Sequence, residues 1–93
     1  MALEDGSLES LAAQWLALER RSTTSGRPED MAAAARAAAA YERSVRGASL
    51  EDLQLAWRSA EKAREACLIG TSEWAEARAV AQLLRLEYES ARS

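Results

Sequence analysis

From Ser49 onward the apolar residues Leu50, Leu53, Trp57, Ala60 and Cys67 recur at intervals of three and four, with Ala63 and Leu68 widening the stripe. That is the spacing of one face of an α-helix. Ser49 precedes the stripe and Asp52 follows three residues later, so the hydroxyl can accept from a free amide of the first turn while the carboxylate reaches back. Gly70 follows the last apolar residues, where a chain leaving a helix commonly turns left-handed. After Thr71 and Ser72, either of which can cap, a second stripe runs Trp74, Ala77, Ala81, Leu84, Tyr88 and Ala91, with Val80 on its flank. The short break predicts an antiparallel helical hairpin over helices 49–69 and 72–91.

The same reading upstream places a helix over 7–21 on Leu8, Leu11, Trp15 and Leu18, with Arg20 and Arg21 in its last turn against the negative end of the helix dipole. Residues 1–6 read as a frayed leader and 22–27 as a flexible polar loop. Pro28, with Glu29 and Asp30 behind it, marks the first turn of a helix over 28–46 that ends at Gly47. All four glycines, at 6, 26, 47 and 70, fall at the breaks that periodicity defines independently. The fold class is therefore all-α, a small antiparallel bundle of four helices in a single domain over 1–93, organised around the C-terminal hairpin. The second, third and fourth helices share an Arg/Glu/Ala texture, but no internal repeat is expected, and the tetratricopeptide pattern fails on spacing.

Composition narrows what such a bundle can do. Apolar residues make up 48% of the chain, yet 22 of them are alanines and phenylalanine is absent. Each buried alanine removes little area from water at about 25 cal/mol per Å², so the large side chains Trp15, Trp57, Trp74, Leu53, Leu84 and Tyr88 are expected to form the shared core. The alanine-rich helix 28–46 suits close approach between helices. The net charge of −3 comes from interspersed signs, the ordinary pattern of a solvated helix surface. No stretch approaches the roughly twenty apolar residues of a membrane span, and no signal segment is evident, so a cytoplasmic protein without membrane contact is expected. The basic residues are arginines apart from Lys62, and Asn and His are missing. That bias suits a GC-rich bacterial or phage genome.

Chemistry is scarce. Without histidine the commonest general base and metal ligand are gone, and the lone Cys67 reads as a small core hydrophobe. Glu61 with Glu65, and Glu87 with Glu89, read as solvated carboxylates, and no phosphate loop or nucleophile elbow is found. The expectation is no enzyme, no cofactor, no metal and no small-molecule substrate. A helix-turn-helix reading of Ala66, Gly70 and Trp74 would place Ser72, Glu73 and Glu76 where phosphates need donors, and Arg20, Arg21 and Arg27 form only a weak basic corner. A DNA-binding regulator ranks third among the readings.

The positive signal is leucine placed off the core stripes. At about 100° per residue, Ala79, Leu83 and Leu86 lie away from the Trp74–Leu84–Tyr88 face, with Arg78 or Gln82 toward their rim. Leu55 falls opposite Leu53 and Trp57, and Leu16 lies off the Leu11–Trp15–Leu18 line. These five residues are the candidate protein-binding surface. The leading expectation is an interaction module, an adaptor, chaperone-like binder or inhibitor of a larger machine, that docks through an apolar helix face. The alternative is a self-assembling subunit or homodimer.

Overall fold

The computed structural model describes residues 7–93. The expected leader at 1–6, with Gly6, lies outside them. Four helices follow in order: α1 Leu8–Ser25, α2 Pro28–Arg46, α3 Leu50–Glu65 and α4 Ser72–Arg92, with no strand among the described residues. The class is all-α, as the periodicity predicts. The chain divides into two compact units, one ending at Gly47 and the other spanning Ala48–Ser93. In each, two helices joined by a short connection pack against each other, α1 on α2 and α3 on α4.

Local chemistry accounts for the helix starts. Ser7 accepts from the Ser10 amide at 3.0 Å, Thr71 accepts from the Trp74 amide at 3.2 Å, and Ser49 with Asp52 closes a reciprocal capping box. Each satisfies amides that a helix start leaves without partners. Pro28 occupies the first turn of α2, where its missing N–H costs nothing.

Two ends differ from expectation. The segment 22–27 is not a flexible loop, because α1 continues through Ser25. Ser22 and Thr23 donate to the Glu19 carbonyl and Thr24 to that of Arg20, at 3.0–3.1 Å, so their hydroxyls are absorbed into the helix they were expected to end. Arg20 and Arg21 consequently sit inside α1, which has no basic residue in its last turn. Gly26, with φ 66°, supplies the left-handed stop. Ser25 donates to Asp30 at 2.6 Å and accepts from the Arg27 amide at 3.2 Å, tying the turn down.

At the other connection α3 stops at Glu65, four residues short of Ile69. The Ala66 amide is shared between the carbonyls of Lys62 and Ala63, tightening the last turn, and Gly70 turns the chain at φ 93°. Cys67 and Leu68 therefore leave the helical face that their spacing assigned to the core, and Ile69 follows them out. Cys67 is half-buried and its thiol donates to the Ala63 carbonyl at 3.3 Å. Leu68 and Ile69 are 79% and 82% exposed, so Leu68 does not extend the stripe.

In the first unit the buried residues are Leu8, Ala12, Ala34 and Tyr41, and in the second Leu53, Ala60, Val80, Ala81 and Leu84. The aromatic rings pair within the hairpins. Trp15 stacks on Tyr41 with centroids 5.4 Å apart, and Trp57 on Tyr88 at 5.6 Å. The three tryptophans are only half-buried, as is Tyr88. Leu50 and Ala91, expected on the stripes, are exposed near the hairpin's open end.

Candidate interaction surface

Ala79, Leu83 and Leu86 share the flank of α4 that the helical period assigns them, at i, i+4 and i+7. The buried side of α4 is set by Val80, Ala81 and Leu84. Leu86 follows Leu84 by two residues, about 200° around the helix, and is 63% exposed. Ala79 and Leu83 are half-buried, so this flank grades from partial cover to open solvent. Arg78 does not stand at the rim as a free charge, because its guanidinium lies over the Trp74 ring at 5.5 Å from the centroid. Gln82 is exposed, and Arg85 pairs with Glu89 at 3.1 Å.

Leu55 occupies the back of α3, two residues from buried Leu53, and is 60% exposed. It borders a shallow depression lined by Trp57, Arg58, Ser59, Glu61, Lys62 and Glu65. One wall of that depression is fixed by a short chain of bonds. The Trp57 indole N–H donates to Glu61 at 3.1 Å, and Arg64 donates to the other oxygen of the same carboxylate. Glu61 thus holds a ring and a guanidinium and is part-buried, instead of standing solvated as its position suggested. Leu16 belongs to the other hairpin and is half-buried. Of the five predicted residues, Leu16 belongs to the first unit and Leu55, Ala79, Leu83 and Leu86 to the second, the last three on one flank of α4.

Leu68 and Ile69 are the most exposed large apolar residues among those described, and the helical spacing concealed Leu68 by placing it on the core stripe. The available signal was the tight capping sequence Gly70-Thr71-Ser72, which draws the chain out of the helix before those side chains can turn inward. Among the described residues no three His, Cys, Asp or Glu side chains gather as a metal site would require, and no helix is long and apolar enough to cross a membrane.

No protein-family model, curated protein or solved structure matches this chain.

Proposed function

We propose that the protein is a non-enzymatic helical interaction module, an adaptor, chaperone-like binder or inhibitor, that docks the outer side of its second hairpin onto another protein. The observation that carries this reading is Leu86, 63% exposed on the side of α4 away from buried Leu84. In a chain whose interior uses alanine so heavily, a large apolar side chain facing water adds nothing to the hairpin's own core and suits a helix-on-helix contact. Leu55 on α3 and the Leu68–Ile69 pair at the hairpin's end add exposed apolar area on the same unit. Its proposed setting is bacterial or phage-infected cytoplasm, in keeping with the arginine- and alanine-rich composition.

The test is capture of partners by the tagged full chain, compared with the double variant Leu55→Glu and Leu86→Glu. Both positions are exposed, so the variant should keep the helical circular dichroism signal and lose the captured protein. A folded variant that captures the same protein at the same yield overturns the site. Sedimentation mass of the parent at rising concentration separates a foreign partner from self-association, the second reading, which outward leucines on both helices of one hairpin support.

A further inference from the structure

We infer that the chain is a tandem repeat of one helical-hairpin unit, and that the outward leucines Leu55 and Leu86 are additions to the second copy that the unit does not need in order to fold. The repeat escapes a scan at one fixed period because its two halves match at different offsets.

In the first helix of each unit the offset is 42 residues. Ser7, Leu8, Glu9, Leu11, Trp15 and Glu19 correspond to Ser49, Leu50, Glu51, Leu53, Trp57 and Glu61. In the second helix the offset is 47, and Ala34, Tyr41 and Glu42 correspond to Ala81, Tyr88 and Glu89. The stretch between the stacked rings is five residues longer in the second unit, and the link between helices accounts for four of them, lengthening from 26–27 to 66–71.

Several of the matched positions also do matched work. Ser7 and Ser49 both occupy the N-cap and accept from the amide three residues on. Ala34 and Ala81, each seven residues before the stacking tyrosine, are both buried. The two Trp–Tyr stacks agree in geometry, with centroids at 5.4 and 5.6 Å and interplanar angles of 26° and 29°. Capping preference alone explains a serine followed by acidic residues. It does not place a tryptophan at the same distance from both caps, nor give each the same tyrosine partner on the following helix. The units are not identical at their open ends, since Leu8 is buried and Leu50 is exposed.

Matched positions then separate what the hairpin needs from what it merely carries. Leu11 and Leu53, and Trp15 and Trp57, are present in both units. Leu55 corresponds to Ala13 and Leu86 to Ala39, both exposed alanines. The same unit therefore forms with alanine at these sites, and the leucines serve something other than its fold. This assignment rests on the docking reading only for what the leucines serve. Folding is its readout and capture is the readout of the docking site, so the two fail separately.

The experiment is a register-matched exchange in the full chain, in which residues 49–57 receive the sequence of residues 7–15 through Asp52→Ser, Gln54→Ala, Leu55→Ala and Ala56→Gln. The exchanged chain should keep its helical signal, its near-ultraviolet tryptophan signal and a thermal midpoint within about 5 °C of the parent. The same nine residues placed one position later should abolish the cooperative transition of the second unit. A separate Leu55→Ala, Leu86→Ala variant should melt within the same margin. If the matched exchange unfolds as the displaced one does, the repeat is refuted. If the double alanine variant loses its cooperative transition, the leucines belong to the scaffold and their assignment is refuted.

Discussion

Trp57 lies stacked on Tyr88, ring centroids 5.6 Å apart and planes inclined at 29°, while its indole N–H is held by Glu61 one turn away. One side chain thus ties α3 to α4 and to its own helix at once. Its counterpart Trp15 stacks on a tyrosine that is only 1% exposed, whereas Tyr88 is half-buried. The two stacks share a geometry and differ in depth.

That difference in depth sets the order of two truncations. Tyr41→Ala removes a fully buried ring and should destabilise by about 3–5 kcal/mol. Trp57→Ala, from a half-exposed site, should cost roughly 2–3 kcal/mol, less than full burial would imply. Urea unfolding followed at 222 nm checks the order, and equal losses would contradict it.

The glycines offer a sharper contrast. Gly26 and Gly70 hold φ of 66° and 93°, so alanine at either should destabilise by about 1–2 kcal/mol through backbone strain although space around both is open. Gly47 has φ −89° and a Cβ there would meet only carbonyl oxygens at 3.8 and 3.9 Å. Gly47→Ala should be neutral or stabilise by up to about 1 kcal/mol, because it restricts the unfolded chain. Thermal midpoints of the three single variants measure this directly.

Ser49→Ala should cost about 1 kcal/mol, since it opens the capping box and leaves the Asp52 amide without its 3.0 Å partner. Ser49→Asp, which retains an acceptor at the N-cap, should recover most of the loss. Amide hydrogen exchange in the first turn of α3 should speed up in the alanine variant alone.

Glu61 and Glu89 each pair with an arginine on their own helix, yet their removal should differ. Glu89→Ala breaks an exposed pair with Arg85 and should change stability by less than about 0.5 kcal/mol. Glu61→Ala also frees the Trp57 indole N–H and the part-buried Arg64, and should cost about 1–2 kcal/mol. The intrinsic fluorescence of Trp57 should change in the second variant and not in the first.

Four helices, their starts and the glycine at each break were legible in the chain because capping, proline placement and helical period act over a few neighbouring residues. Ser49 with Asp52, Thr71 before Trp74, and Pro28 carry their own hydrogen-bonding or steric instructions and need no distant partner. The outward setting of Leu55 and Leu86 was legible too, as simple angle around a helix. Burial was not, because it depends on what approaches from another helix. Ala12 and Ala34 are fully enclosed although their size suggested little role, since alanine lets neighbouring backbones come close. Tyr41 stands in an alanine helix whose pattern marks no core face, and its pairing with Trp15 spans a turn that local pattern does not measure. The two unexpected helix ends have the same origin in competition between local options. At 22–25 serine and threonine hydroxyls found carbonyls of the preceding turn and let α1 run on. At 66–70 a tightened last turn and a left-handed glycine drew Leu68 out of a stripe whose spacing alone would have buried it, and left Ile69 exposed beside it.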